Sequence, residues 1–197
     1  MTIQLGKRRI PVTVSVYFMG MVAVCFAMGL AEKVSLGLLF AALHELGHLG
    51  TMLAFRARPQ RVRLAAAGVC IECAPGLSLS FGKEIIIAFA GPALSLSLAG
   101  LFYAGYYATG IELLEVCAAI NLGFAVFNLM PVRQLDGGRA LYYALCRRLN
   151  ETTAERIGFV VSLACLFIIA VAVAYTSLAQ GLNLPLVVAV LYLAGNC

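Results

Sequence analysis

The chain has no tryptophan, two histidines and a single aspartate, and only 12% of its 197 residues carry a formal charge. A water-soluble domain is about a quarter charged, so this scarcity excludes an ordinary soluble enzyme or binding module. The charges are missing in blocks. Residues 10–30 have none, 34–55 have only Glu45, 85–108 and 116–132 have none, and none follows Arg156. A net charge of +5 might suggest a nucleic-acid partner. No basic, aromatic-interleaved soluble module exists to bind one, however, so nucleic acid is excluded. The seven cysteines make an odd count and four lie in the uncharged blocks, which argues against a disulfide framework. Cys70 and Cys73 form the one close pair, a weak metal or redox signal that reads more simply as structure.

What is present is apolar: 62% hydrophobic residues and a mean hydropathy of +0.97. A helix needs about 20 such residues to cross a bilayer, which gives about six spans, near 10–30, 34–55, 85–108, 113–132, 157–178 and 183–197. Gly181–Pro185 separates the last two. The expected fold class is therefore an all-α polytopic membrane protein, read as a single domain over 1–197. The first span is expected to be retained, because no small-x-small cleavage site follows it. Between the second and third spans, alternation and β-branched residues over 61–73, punctuated by Gly68 and Pro75, predict a small β-hairpin at the membrane surface. An exposed strand edge there is a place for an extended peptide to pair. Pro131 is expected to break the fourth span, and Gly137–Asn150 reads as a polar surface helix.

Placing both termini in the cytoplasm puts all 14 basic residues except Lys33 on the inner side, the positive-inside arrangement. Those residues then meet the anionic headgroups of the bilayer. The expected location is the cell membrane, multi-pass.

One segment carries chemistry. His44-Glu45-Leu-Gly-His48 lies mid-way along the second span. Residues four apart share a helix face, so both imidazoles can reach one metal ion, with the glutamate beside it. In zinc hydrolases this arrangement lets the carboxylate activate a zinc-bound water. A packed histidine is the bland alternative. It is disfavoured because a charge near mid-bilayer costs about 2.5–3.5 kcal/mol, and Glu45 is the only one in its span. Catalytic zinc sites usually take three protein ligands, and the single aspartate, Asp136, follows the break at Pro131. His48 is seven residues before Phe55, roughly 10–15 Å below the surface, a depth that irregular backbone after Pro131 can reach. A helix N-cap at the interface is the alternative role for Asp136.

Taken together, HELGH at 44–48, Ala90-Gly91-Pro92 in the third span, and Asn128-x-x-Pro131 followed by Leu135-Asp136-Gly137-Gly138-Arg139 resemble the site-2 protease family of intramembrane zinc metalloproteases (M50-like). The likeness is greatest to the compact bacterial type that processes sporulation sigma factors. It covers roughly residues 5–195. It implies one zinc ion held by His44, His48 and Asp136, Glu45 as catalytic acid/base, and Asn128 near the metal as a substrate-binding residue. It also implies a membrane-tethered protein substrate, such as a sigma-factor precursor or a regulator, and a membrane regulatory partner. Cobalt or manganese can replace zinc in such a donor set. Two departures stand out. Ser95 and Ser97 occupy the region where the family often has an asparagine, and no CBS or PDZ domain is expected. The rival readings are a small metal-ion-binding transporter and a catalytically inactive membrane scaffold. The first is disfavoured because the two halves show no pseudo-symmetry.

Overall fold

The computed structural model describes residues 2–5, 8–14, 31–57, 59–65, 68–73 and 79–180, with side chains described over 35–57 and 79–178. The elements in chain order are β1 (Thr2–Leu5), β2 (Arg8–Val14), α1 (Ala31–Ala54), β3 (Pro59–Ala65), β4 (Gly68–Cys73), α2 (Phe81–Thr109), α3 (Glu112–Asn128), α4 (Asp136–Cys146) and α5 (Glu151–Gln180). Among the described residues, three stretches are long and apolar enough to cross a membrane: Ser35–Ala54, Phe81–Thr109 and Glu151–Leu178. With their apolar side chains turned outward, as at Leu101, Phe167 and Tyr175, they make this a multi-pass membrane protein. α3 has 17 residues, about 25 Å at 1.5 Å per residue, and passes into non-helical backbone before Pro131.

The N-terminus departs from expectation. Residues 10–14 were placed in a helical first span, but they complete strand β2. The run Ile10-Pro-Val-Thr-Val14 is β-branched and holds a proline, which suits a strand better than a helix interior. Lack of charge alone cannot tell the two apart. The four strands form one sheet in the order β1-β2-β3-β4. β1/β2 and β3/β4 are antiparallel, and β2/β3 is parallel. Residues 15–30 and 183–197, where most of the first and all of the sixth expected span fall, lie outside the described residues.

Helix ends follow local chemistry. α1 closes with the amide of Ala57 donating to Met52 O (2.8 Å) and that of Arg56 to Leu53 O (2.9 Å). Arg56 takes the left-handed position there, with φ of 57°. α2 ends at Gly110, φ 69°, whose amide donates to Tyr106 O. Asn150 starts α5 by accepting from the amide of Thr153 at 2.9 Å.

α2 is the central helix, packing on α1, α3 and α4. Its approach to α1 is close because Gly47 has no side chain: a Cβ there would stand 2.7 Å from Ala90 O. Met52, Ala57 and Ile87 seal the end of that contact. The irregular stretch 129–135 is held against α5 by Val132, Leu135 and Leu166. Its polar backbone is met by Ser162, whose Oγ accepts from the Arg133 amide (2.9 Å) and donates to Pro131 O (3.3 Å). Non-helical backbone inside a membrane protein needs such partners.

Candidate metal centre

The site is assembled from three helices that the chain brings together from distant positions. α1 contributes His44 and His48, one turn apart on the face that meets α2. The tight turn after Pro131 brings Asp136 to the same point from the start of α4. That turn depends on two glycines. A Cβ on Gly137 would overlap Leu129 O, and one on Gly138 would overlap Val132 O. The Leu-Asp-Gly-Gly run is thus a steric requirement for folding the 129–133 backbone over the start of α4. Asp136 lies in that helix's first turn, where the partial positive charge of the N-terminus favours a carboxylate.

Three donor atoms converge. Asp136 Oδ2 lies 3.0 Å from His44 Nε2 and 3.1 Å from His48 Nε2, and the two Nε2 atoms are 3.2 Å apart. All three residues are buried. The far side of each ring is also held. His48 Nδ1 lies 2.7 Å from the Ile87 carbonyl. A carbonyl can only accept, so Nδ1 carries the hydrogen and Nε2 of the neutral ring presents a lone pair. His44 Nδ1 meets Ser95 Oγ at 2.9 Å, and Ser95 is fully buried. The Ile87 carbonyl is adjacent to that of Ala88, which has no helical donor because Pro92 lacks an N–H. Gly91 completes the enclosure: a Cβ there would overlap the Nε2 atoms of both histidines.

Two imidazole nitrogens and a carboxylate oxygen, acceptors facing one another at about van der Waals distance or less, repel unless a cation sits among them. The triangle also has the right size. Ligands about 2.0–2.1 Å from a tetrahedral zinc are about 3.3 Å apart, close to the 3.0–3.2 Å edges seen here. Two imidazoles and one carboxylate form a donor set used by catalytic zinc, with the fourth position left for water or substrate. Among the described residues this is the one group of three or more His, Cys, Asp or Glu side chains arranged to hold a metal. Glu45, between the histidines on α1, is half-buried.

Similarity to known proteins points the same way. The model of Peptidase family M50 matches residues 107–169, a stretch that includes Asn128, Pro131 and Asp136. Stage IV sporulation protein FB of Bacillus subtilis (strain 168) is 29% identical over 128 residues, which is 64% of this chain and 44% of that protein. Over residues 107–169 the chain is similar to peptidase family M50. The structure of the Site-2 Protease from Methanocaldococcus jannaschii superimposes with a TM-score of 0.72 at 20% identity, covering 98% of this chain and 92% of that one. The chain therefore shares the fold of that protease. It spans less than half the length of the sporulation protein.

Of the residues singled out in the sequence, the structure brings His44, His48 and Asp136 together. It leaves Asn128 on α3, half-buried, with Nδ2 donating to Phe124 O of its own helix at 2.9 Å. Phe124, one turn earlier, is the α3 side chain against His44, with ring centroids 6.3 Å apart. Two groups at the site, Ser95 and the Ile87 carbonyl, have no assigned role in the sequence. Ser95 stands in the sequence only as a departure, with Ser97, from the family's asparagine, although it sits four positions after Gly91, on the same face of α2. The Ile87 carbonyl has no sequence signal, because any residue supplies one. Ser162 likewise gave no sign that it would serve backbone 29 and 31 residues away.

Proposed function

We propose that this chain is an M50-type intramembrane zinc metalloprotease that hydrolyses a peptide bond in a membrane-tethered protein. The observation that carries the reading is the buried triangle of His44 Nε2, His48 Nε2 and Asp136 Oδ2, set in apolar helices with Glu45 beside it. His44, His48 and Asp136 would hold the ion. When bound, zinc supplies a Lewis acid that acidifies water and polarises a carbonyl. The chain's own groups supply the rest. Ser95 and the Ile87 carbonyl hold the imidazoles so that both Nε2 atoms face Asp136. Glu45 takes the proton of the attacking water at its carboxylate and returns it to the departing amine. Asn128 has a second Nδ2 hydrogen beyond the one given to Phe124, and it would donate that to a substrate carbonyl or the developing oxyanion.

A substrate helix must unwind to expose its carbonyls, and an unwound strand needs backbone partners. In the sheet order β1-β2-β3-β4, β3 is flanked on both sides, so of the two strands within 59–73 it is β4 that offers an edge for pairing. The topology we propose has six spans with both termini cytoplasmic, and its basic residues lie against anionic headgroups. A sigma-factor precursor or a membrane regulator is the substrate class implied by the sequence resemblance, and a sporulation protein among the relatives fits it. A membrane partner that governs access to the site belongs to the same reading.

The test is co-expression of the chain with tagged, membrane-tethered candidates, comparing the wild type with Glu45→Gln and assaying zinc in both purified proteins. Wild type is expected to shorten a candidate, while Glu45→Gln keeps its zinc and leaves that candidate intact. Equal cleavage by both would remove Glu45 as the base. Absence of near-stoichiometric zinc in both would remove the metal site, and a metal carrier or scaffold would replace the protease reading.

A further inference from the structure

On the side of α4 facing α5, a cavity of about 250 Å³ opens among Arg133, Arg139, Tyr142, Glu155, Gly158 and Phe159. The protease reading gives it no task. Its depth is set by the sequence of α5. Glu151, Glu155 and Arg156 are charged, and no charge follows to the end of the chain. The cavity straddles that change, so its upper wall belongs to the headgroup layer and its lower wall to hydrocarbon. Below it, Phe159, Leu163 and Phe167 succeed one another at four-residue spacing and are 40%, 47% and 71% exposed, an apolar lane running down the helix.

The polar wall carries two arginines and one carboxylate, Glu155, a net positive charge whose ion pairing is weak. Arg139 also feels the charge of Glu84. Arg133 Nη2 meets Glu155 Oε1 at 3.2 Å, with both side chains more than half exposed. An ion pair in such a setting is weak and readily exchanged. Arg139 Nη1 stands 3.9 Å from Asp136 Oδ1, beyond hydrogen-bond distance. Each guanidinium has five donors in a planar fork, the geometry that receives a phosphate. Basic pockets between membrane helices at this level hold anionic lipid headgroups.

We propose that this cavity seats the phosphate headgroup of one anionic phospholipid, held by Arg133 and Arg139, with an acyl chain lying along Phe159, Leu163 and Phe167. The apolar lane favours a lipid over a free phosphate or an acidic peptide. Gly158 provides an independent handle, because a Cβ added there meets nothing within 4 Å. A leucine at 158 would fill the cavity and leave every charge in place.

The experiment uses the full chain, purified in a neutral detergent and titrated with dioleoyl phosphatidylglycerol. Retained lipid is counted by native mass spectrometry. Wild type should retain one lipid saturably. Arg133→Gln/Arg139→Gln should weaken retention by about tenfold or more, the scale of losing a charge-assisted contact. Gly158→Leu should also weaken it clearly, by occupying the space the headgroup needs. Arg148→Gln, an exposed arginine outside the cavity, should bind as wild type does. Gly158→Leu keeps the test intact if the double arginine variant does not fold. Equal retention by wild type and Gly158→Leu would overturn the proposal. So would equal retention of dioleoyl phosphatidylcholine, which would remove the anion requirement. Displacement of the lipid by millimolar glycerol 3-phosphate would make this a soluble-phosphate site, and displacement by a short polyglutamate peptide would make it a peptide site.

Discussion

Replacing Ser95 with alanine removes the oxygen that meets His44 Nδ1 at 2.9 Å. Ser95 has no exposed surface and His44 is 3% exposed, so bulk water cannot take the oxygen's place. A buried polar group left without its partner costs about 1–3 kcal/mol. Loss of a partner to a metal-ligating histidine typically lowers metal affinity about 10–100-fold. The two figures agree, since 1.4 kcal/mol is about tenfold. The effect should appear in metal retention, because the hydrogen bond fixes which way the imidazole points. The assay is a chelator titration of the zinc-loaded, purified chain, read with a colorimetric zinc indicator. Ser97→Ala is the matched control. Its Oγ donates to Ala93 O of the same helix at 2.8 Å on an exposed face and does not reach the histidines. Ser95→Ala should release zinc at roughly 10- to 100-fold lower chelator strength, and Ser97→Ala should match wild type. If the two variants behave alike, Ser95 does not orient His44 and the reasoning fails.

Gly91→Ala should abolish zinc binding while the protein stays membrane-inserted, because the added methyl overlaps both Nε2 atoms; metal analysis of the purified variant checks this. Zinc removal should lower thermal stability. At free zinc about a hundred times the dissociation constant, linkage contributes about 2.7 kcal/mol, and Asp136→Asn should erase most of the difference between metal-free and metal-loaded melting curves. Ser162→Ala leaves the Arg133 amide and the Pro131 carbonyl without their side-chain partner. It should destabilise the chain by about 1–3 kcal/mol, seen as a lower melting temperature, and loosen the backbone that carries Asp136. If Ser162→Ala melts with wild type, the 129–135 stretch does not depend on that hydroxyl.

The centre pairs local sequence features with long-range ones. The two histidines are adjacent because a helix places residues four apart on one face, and that much is independent of the rest of the fold. The position of Asp136 depends on the turn at Pro131, on Gly137 and Gly138 allowing backbone to pass, and on Leu135 packing against α5. A substitution in that turn should therefore alter metal binding without touching a ligand.

By itself the sequence determined the apolar surroundings, the candidate donor residues and most of the helices. Blocks of uncharged residues reported the apolar surroundings. The scarcity of histidine and aspartate made the three donor residues stand out. Helices α1, α2, α3 and α5 lie close to the spans read at 34–55, 85–108, 113–132 and 157–178. The reason is that helical spacing and transfer from water are local properties, carried by each segment wherever it sits. Only the tertiary structure decided that residues 8–14 form a strand, because an uncharged β-branched run fits either environment and its choice depends on β1 and β3 beside it. Only the tertiary structure could show that Ser95, and not Ser97, meets a histidine. The two differ by which face of α2 meets α1, and that face is set by Gly47 and Gly91 allowing the helices to approach. The partner of His48 was likewise hidden, since a backbone carbonyl carries no residue identity and is chosen by packing alone.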